Sequence, residues 1–307
     1  MKQLYYSLPQ YLKDTFGRKL YKVALETGMT CPNRDGKVAV GGCIFCGEGG
    51  SGDFAIYYEG KRLSREELIY NHQEIPKGDY IAYFQSFTNT YAPTSKLREI
   101  FTAALEDDLF AGISIATRPD CLGKDVIELL KELKEKYPNK FIWVELGLQT
   151  IHESTAKWMN RGYPLEVFDE AIKNLKSINI EVIVHIIIGL PGEDQKMLLE
   201  TIQHLNACQI DGVKLQLLHY LKNTRLGVQY LSNPSQYHVL EMDEYVELVT
   251  ECIAHLDEHI VIHRLTGDGN AEDLIAPLWS TDKRRVLNLI NHMLKIKSYT
   301  QGCKLLK

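Results

Sequence analysis

The chain has 307 residues, 45% of them hydrophobic, and a formal net charge of −5. A chain of this length can bury a large core and form one or two globular domains. The negative charge argues against a surface that binds phosphates everywhere, because non-specific nucleic-acid binding depends on many lysines and arginines. The most apolar stretch, IEVIVHIIIGL, is interrupted by Glu181 and His185 and is too short to span a bilayer. Since the amino terminus lacks an apolar signal segment, we expect a cytoplasmic protein with no membrane attachment.

Short β-branched or aromatic runs alternate along the chain with longer segments of helical periodicity. This alternation is typical of βα units around a parallel sheet. The predicted strands are 22–27, 80–87, 112–117, 141–147, 181–188 and 213–219. The predicted helices are 124–137, 164–178, 193–207 and about 242–257. A strand-like piece at 260–265, a glycine-containing loop and a basic terminal helix follow.

The fold class predicted from this pattern is α/β, with six strands in a partial barrel of the (β/α)6 type and a short C-terminal extension. We divide the chain into an N-terminal arm (residues 1–20), the barrel (21–255) and a C-terminal strand, loop and basic helix (256–307). The loops that follow the strands should collect at one edge of the sheet, where α/β folds place their chemistry.

Three of the seven cysteines, Cys31, Cys43 and Cys46, lie on a glycine-rich loop after the first predicted strand. Thiolates with this spacing suit either zinc or an iron–sulfur cluster, because both are soft-ligand sites. A closed zinc site needs a fourth ligand, and the next candidate, His72, lies far along the chain without a second ligand pair. Three thiolates alone favour a cluster with one open iron. The other cysteines lie far apart, so a disulfide scaffold is not expected.

Four further motifs follow the cysteine loop in order at predicted strand ends: ATRPD (116–120), ELGLQT (145–150), NRGYPLEVFDEAI (160–172) and IIIGLPGE (186–193). With them, roughly residues 20–270 resemble radical S-adenosylmethionine (SAM) enzymes of the branch that includes the Elongator catalytic subunit, without that subunit's acetyltransferase domain. The resemblance implies a radical SAM barrel in which the three loop cysteines hold a 4Fe-4S cluster. It also implies that the open iron chelates the amine and carboxylate of SAM, and that a 5′-deoxyadenosyl radical abstracts a hydrogen atom from the substrate. An electron donor such as flavodoxin or ferredoxin is then expected.

The resemblance also suggests which strand ends contact the nucleoside part of SAM. Gly189 would leave space for a flat adenine, and Glu193 would begin the helix after the turn. Glu145 and Gln149 are polar groups at the end of an apolar strand, suited to the ribose hydroxyls. A capping role for Gln149 and an ordinary strand-to-helix turn at Gly189 are the alternatives.

The methionine part of SAM has several candidate partners. Many radical SAM enzymes bind its amine with a Gly-Gly-Glu sequence after the second strand. At that place this chain has four polar side chains, Gln85, Ser86, Thr88 and Asn89. Which of them binds the amine stays open, and Gln85 and Asn89 are our candidates. Arg118 could bind a carboxylate or remain in a salt bridge with Asp120.

The candidate substrate residues lie near the end of the chain. His263, Arg264 and Asp268 follow the last strand-like piece, at the expected rim of the barrel. They could bind a charged substrate or a phosphate, and a satisfied histidine beside a surface arginine is the alternative.

The two ends of the chain are more basic than the whole. Residues 1–30 have a local balance of +3, and residues 283–307 carry seven lysines or arginines and no acidic residue. A polyanion could bind the densest group, which is Lys283, Arg284 and Arg285. A solvated helix face is the alternative.

The resemblance to the Elongator branch and the basic ends point to tRNA as the substrate. We expect an enzyme that acts on the C5 side chain of the wobble uridine and removes the carboxymethyl group from 5-carboxymethylaminomethyluridine to leave 5-aminomethyluridine. Two alternatives remain. One is a radical SAM enzyme that acts on a small metabolite or a porphyrin-like intermediate, and the other is a non-catalytic zinc-binding protein.

Overall fold

The computed structural model describes residues 3–47, 49–50, 55–64, 79–267 and 271–305. The strands in this part of the chain are β1 (Leu20–Glu26), β2 (Ile56–Tyr57), β3 (Asp79–Phe84), β4 (Phe110–Thr117), β5 (Phe141–Gln149), β6 (Glu181–Ile188), β7 (Gly212–Leu217), β8 (Tyr220–Leu221), β9 (Val261–Arg264) and β10 (Leu274–Ala276). Eight of them form one sheet in the order β2-β1-β3-β4-β5-β6-β7-β9, and every neighbouring pair is parallel. β8 and β10 form a separate antiparallel pair.

The α-helices of the described ranges are α1 (Leu8–Phe16), α2 (Thr94–Glu106), α3 (Lys124–Lys136), α4 (Glu153–Trp158), α5 (Leu165–Ser177), α6 (Gln195–Ala207), α7 (Arg225–Ser232), α8 (Met242–His255) and α9 (Lys283–Ile296). None of them is long and apolar enough to cross a membrane.

The predicted α/β fold with a partial barrel is confirmed, with eight strands in the sheet rather than six. All six predicted strands are present, and the strand-like piece at 260–265 contains β9, which pairs with β7. The short strand β2 adds to the opposite edge, beside β1. Within the described residues, the edge strands β2 and β9 do not pair with each other, so the barrel is open.

Several helices have no counterpart among the predicted ones. α1, α4 and α7 are nine residues or shorter, and α2 is a further outer helix between β3 and β4. α6 begins at Gln195 rather than at Glu193. The carboxylate of Asp194 accepts a hydrogen bond from the Met197 amide at 2.9 Å, and this cap sets the start of the helix.

The strands pack on two sides because alternate residues face opposite ways. The outward-facing side chains, such as Phe84, lie beneath the outer helices in one large core that includes Leu97 and Phe101 of α2. The inward-facing residues at the amino ends of the strands, Leu20, Ile81, Trp143 and Ile183, form a smaller cluster with Leu12 of α1.

Helix α1 closes the amino-terminal end of the barrel. Leu12 packs into the inner cluster, and the Tyr11 ring lies 6.0 Å from the Trp143 ring. The Tyr11 hydroxyl donates a hydrogen bond to the Glu181 carboxylate at 2.7 Å. The sheet therefore has a closed apolar end and, at the carboxyl ends of its strands, an end where the loops collect.

The predicted N-terminal arm and C-terminal segment meet on β9. The Ile262 amide donates to the Tyr6 carbonyl at 2.8 Å, and α9 packs against α8. Gln301, which is 8% exposed, joins the segments through its side chain. Its Oε1 accepts from the Tyr6 amide at 2.8 Å, and its Nε2 donates to the carbonyls of Asp257 and Ile260, both at 2.7 Å.

We expect Gln301→Ala to lower the free energy of unfolding by about 2–4 kcal/mol, because it removes the side-chain partner of the Tyr6 amide and of the Ile260 carbonyl. Gln236→Ala is the control, since Gln236 is exposed and its loss should change stability by less than about 0.5 kcal/mol. Denaturant unfolding followed by circular dichroism measures both. Equal stability of the two variants would contradict the proposed role of Gln301.

Candidate active site

The cysteine loop (residues 27–47) leaves the carboxyl end of β1 and places its three thiols partly buried. Tight turns shape it: the Arg34 amide donates to the Cys31 carbonyl at 2.9 Å, and the Cys46 amide donates to the Cys43 carbonyl at 3.0 Å. Two side chains donate to the sulfurs, Asn33 Nδ2 to Cys43 Sγ at 3.5 Å and Arg34 Nη1 to Cys46 Sγ at 3.7 Å. Three soft ligands with donors aimed at two of them fit a 4Fe-4S cluster.

The thiols of Cys43 and Cys46 are unsuited to act as nucleophiles. Burial raises the pKa of Cys43 to about 12, with the neighbouring Cys46 adding to the shift. Burial also raises the pKa of Cys46, although Arg34 opposes it. Free thiols here would stay protonated at neutral pH, whereas a metal centre binds thiolates and releases the protons. The chemistry of these residues is therefore that of ligands.

The NRGY segment (160–163) fastens the cysteine loop to the rest of the barrel. Asn160 donates from Nδ2 to the Gly42 carbonyl at 2.8 Å and accepts on its own carbonyl from Asn33 Nδ2 at 2.6 Å. Gly162 has φ +83°, and a Cβ there would lie 2.5 Å from Asn33 Oδ1. Only glycine allows this close approach without a shift.

Arg161 anchors the same segment to the end of β5. Its side chain is 1% exposed and donates to the carbonyls of Leu148, Thr150 and Tyr163 at 2.6–3.2 Å. Its Nη2 also pairs with the Glu153 carboxylate at 2.9 Å. Because a guanidinium offers five donors in a fixed plane, one side chain can satisfy all these acceptors at once.

Arg118 is occupied within the protein. Its guanidinium pairs with Asp120 through two hydrogen bonds of 2.9 and 2.7 Å and donates to the Arg161 carbonyl at 2.8 Å. The structure therefore has the salt bridge, the second of the two alternatives for this residue, and Arg118 braces the NRGY segment.

The turn after β3 lies directly against the cysteine loop. Ser86 and Phe87 both have left-handed backbones, with φ of 68° and 59°. The Thr88 amide donates to the Thr30 carbonyl at 3.3 Å, beside Cys31. The hydroxyl oxygens of Ser86 and Thr88 are buried and have no hydrogen-bond partner. Strained backbone and buried polar atoms without partners are typical of a ligand-binding site, so these hydroxyls are candidates for binding the methionine amine of SAM.

Asn89 and Gln85, the two candidates at this turn, have different surroundings. Asn89 is 1% exposed, and its Nδ2 donates to the Ser86 and Ala116 carbonyls, both at 3.1 Å. Its amide is therefore used to hold the turn in place. Gln85 lines the central cavity and stays a proposed SAM-binding residue.

A cavity of about 220 Å³ opens inside the carboxyl end of the barrel. Its lining includes Cys46 and Lys214, together with Gln85, Gln149, His185 and Arg264. Two of the candidate SAM residues therefore share a cavity with a cysteine ligand and with one candidate substrate residue.

The floor of this cavity is a charged layer, two residues above the apolar cluster that α1 closes. The layer contains Lys22 of β1, Tyr83 of β3, Glu145 of β5 and His185 of β6. Each of these lies two residues after a member of the apolar cluster on the same strand, and Lys214 of β7 completes the layer. Glu145 is 1% exposed and lies at the centre. It accepts from Lys22 Nζ at 2.5 Å, from Ser114 Oγ at 2.6 Å, from His185 Nε2 at 2.7 Å and from Lys214 Nζ.

The ionisation of this layer follows from the pairing. Burial opposes the charge on Glu145, yet Lys214 and Lys22 hold the pKa of its carboxyl well below the usual range. Burial lowers the pKa of Lys214 to about 7, although Glu145 acts in the opposite direction. Burial and the nearby Lys214 lower the pKa of His185 to about 4, so this imidazole is neutral at physiological pH. Glu145 is therefore a buried counter-ion, and its oxygens are taken by protein groups rather than being free for a ribose.

The positions proposed for the SAM nucleoside have mixed outcomes. Gln149, with φ 65°, lines the cavity and stays a candidate. At Gly189, φ is +89° and a Cβ would lie 2.9 Å from Leu240 Cδ1, so Leu240 occupies the space that we assigned to adenine. Glu193 precedes α6, and one of its carboxylate oxygens is buried without a hydrogen-bond partner. Burial raises the pKa of Glu193, and hydrogen bonds from Thr150 and Thr155 partly offset this.

The candidate substrate residues are separated in space. Arg264 lines the cavity, but His263 packs against Trp143 with ring centroids 5.4 Å apart, near the closed end of the barrel. The expectation that His263 lies at the rim was wrong, because β9 continues to Arg264 and His263 therefore lies within the strand, beside the inner apolar cluster. Asp268 lies outside the described residues. Lys283, Arg284 and Arg285 are exposed in the first turn of α9.

Sequence reasoning missed the residues that form the cavity floor, and it missed the role of Arg161 in holding the NRGY segment. Lys22, His185 and Lys214 are charged or titratable residues within otherwise apolar strands, and that interruption was the available signal. Arg161 carried no such signal, because only the positions of the carbonyls around it show what it binds.

We expect Ser86→Ala combined with Thr88→Val to weaken SAM binding about tenfold or more, since a hydrogen bond to a charged group contributes about 1.5–3 kcal/mol. The same variant should unfold no more easily than the wild type, because neither hydroxyl has a partner in the protein. Anaerobic calorimetric titration of the cluster-loaded protein with SAM measures the affinity.

The control for this prediction is Thr90→Val. Thr90 Oγ1 is hydrogen-bonded to Thr117 Oγ1 at 2.6 Å and to the Cys121 carbonyl at 2.7 Å, so its loss should lower stability and leave SAM affinity nearly unchanged. Wild-type SAM affinity in the double variant would place the amine elsewhere.

Comparison with protein families gives two matches. The model of the Radical SAM superfamily matches residues 26–205, and that of the Radical_SAM C-terminal domain matches residues 210–295. The uncharacterized protein YtqA of Bacillus subtilis is 44% identical over 300 residues, which cover 97% of this chain and 92% of that protein.

More distant relatives are similar over much of the chain. Elongator complex protein 3 of Schizosaccharomyces pombe is 24% identical over 311 residues, covering 84% of this chain and 56% of that protein. The solved structure of archaeal Methanocaldococcus infernus Elp3 with an N-terminal deletion has a TM-score of 0.65 at 15% identity, covering 92% of this chain and 65% of that one. The chain therefore belongs to the Radical SAM superfamily, whose enzymes use a 4Fe-4S cluster and S-adenosylmethionine.

Proposed function

We propose that this radical SAM enzyme acts on tRNA and removes the carboxymethyl group from 5-carboxymethylaminomethyluridine at the wobble position, leaving 5-aminomethyluridine. The observation that carries the proposal is a cavity lined both by Cys46, a cluster ligand, and by Lys214, a buried cation. The relatedness to Elongator complex protein 3 supports the choice of an Elongator-like substrate.

The residues around the cavity have separable roles in this proposal. Bound there, the cluster and SAM supply a 5′-deoxyadenosyl radical for hydrogen abstraction. Cys31, Cys43 and Cys46 hold the cluster, and the Ser86 and Thr88 hydroxyls orient the methionine part of SAM. Superfamily membership favours this radical chemistry over the non-catalytic zinc protein that the cysteines alone left open.

The first turn of α9 is the proposed tRNA contact. Lys297 and Lys304, two other basic residues near the C-terminus, both pair with Glu251 of α8. Lys283, Arg284 and Arg285 are exposed, at the end of the helix where the macrodipole disfavours cations. A cluster of three exposed cations at this end is disfavoured by the macrodipole, and it is suited to binding a polyanion. At the other end of the chain, Lys22 points into the barrel and cannot contribute.

Mass spectrometry of tRNA nucleosides tests the substrate. A strain that lacks this chain should accumulate 5-carboxymethylaminomethyluridine and lose 5-aminomethyluridine. The wild-type gene and the Cys208→Ala control should restore the product, whereas Cys43→Ala should not, because a cluster left with two thiolates loses its anchoring. An unchanged nucleoside profile in the deletion strain would favour a small-molecule substrate.

Neutralising Lys283, Arg284 and Arg285 to Gln should weaken tRNA binding and flatten its salt dependence. Each lost phosphate contact removes about 0.9 from the slope of log affinity against log salt, so we expect a loss of about 2–3 units. The control replaces Lys297 and Lys304 by Gln, which should lower stability but leave the slope nearly unchanged. Superimposable curves for the wild type and the triple variant would mean that this turn is only a solvated face.

A further inference from the structure

Two lysines share one carboxylate in the floor of the cavity. Lys22 Nζ lies 2.5 Å from one oxygen of Glu145, and Lys214 Nζ is bonded to the other. Both ammonium groups also lie 4.6 Å from the centroid of the Tyr83 ring, on which they depend for part of their stabilisation. With both lysines protonated, Lys22, Lys214 and Glu145 together carry a net charge of +1.

The two lysines differ in what else they can reach. Lys22 has a side chain that is 20% exposed and does not belong to the cavity wall. Lys214 has a side chain that is 3% exposed and is part of that wall. Glu145 and the Tyr83 hydroxyl, at 3.1 Å, take two of its N–H groups. An ammonium group has three donors, so one remains for a ligand in the cavity.

We propose that Lys214 binds the carboxylate of the substrate, and that it thereby selects a side chain that ends in a carboxylate. This inference rests on the proposed function, and it names the group of the wobble side chain that enters the cavity. A second carboxylate would balance the two lysines, and the buried ammonium would gain a charged partner in a site of low dielectric.

Lys214 acts here as a binding residue, and its charge sets a pH dependence. The titratable and charged side chains that face it from the neighbouring strands are Lys22, Tyr83, Glu145, His185, His263 and Arg264. Burial lowers the pKa of Lys214 to about 7, so its free form loses the proton as the pH rises above neutrality. kcat/KM for a carboxylate substrate should therefore fall above about pH 7 and be flat there in Lys214→Arg, whose guanidinium stays charged.

SAM also carries a carboxylate, so the experiment must separate the two sources. The probes are an anticodon stem-loop RNA with 5-carboxymethylaminomethyluridine at the wobble position and the same RNA with a carboxamide in place of the carboxylate. Binding is measured anaerobically with the cluster-loaded enzyme and SAM but without reductant, so that no turnover occurs. The variants are Lys214→Met, Lys214→Arg and the matched control Lys22→Met, which removes the other lysine that pairs with Glu145.

The wild type should bind the carboxylate RNA about tenfold or more tighter than the carboxamide RNA. Lys214→Met should abolish that preference, while Lys214→Arg and Lys22→Met should keep it. SAM affinity without RNA, together with iron content, should match the wild type in Lys214→Met.

Three results would overturn the inference. Retained preference in Lys214→Met would show that another residue binds the carboxylate. Loss of SAM affinity with the RNA preference intact would assign Lys214 to the carboxylate of SAM. Failure of the wild type to bind either RNA would overturn the proposed tRNA substrate, and this inference with it.

Discussion

The buried carboxylate of Glu145 is the interaction around which the inside of the barrel is arranged. An ionised carboxylate at the centre of a protein is unstable unless cations and donors surround it, and here four side chains from four strands supply them. These contacts bring Lys22, Ser114, His185 and Lys214 to one level of the sheet. Because the neighbours of Glu145 must stay in register to keep it charged, the same contacts set the shape and the charge of the cavity above it.

The cysteine loop depends on a different kind of support. It has little regular structure of its own, so its position comes from contacts with residues more than a hundred positions along the chain. Asn160 holds the loop, Arg161 holds the end of β5, and Arg118 holds the carbonyl of Arg161. The cluster ligands are thereby tied to the strand whose end carries Gln149, and the two halves of the proposed SAM site share one rigid frame.

The sequence predicted the parts of this molecule that periodicity and spacing encode. The six strands alternate with amphipathic helices, and the three cysteines lie close together along the chain, so both were readable. His263 was misplaced because β9 continues to Arg264, so His263 lies within the strand rather than after it. The sequence also could not show that the space beside Gly189 is occupied, because Leu240, which lies there, is about fifty residues away in sequence. The pairing of Lys22 and Lys214 through Glu145 likewise exists only once three strands are side by side.

Helix α1 gives the first residues a role that their description as an arm does not suggest. Its side chains cover Trp143 and Ile183, and directly above these lies the ionised layer of Glu145. A shortened chain that begins at β1 would keep every cysteine and every strand, yet the amino-terminal end of its barrel would be open to solvent. Water entering there would raise the local dielectric, weaken the ion pairs and give the reactive cavity a second opening. Helix α1 therefore seals the amino-terminal end of the barrel, and preparations of this enzyme should retain it.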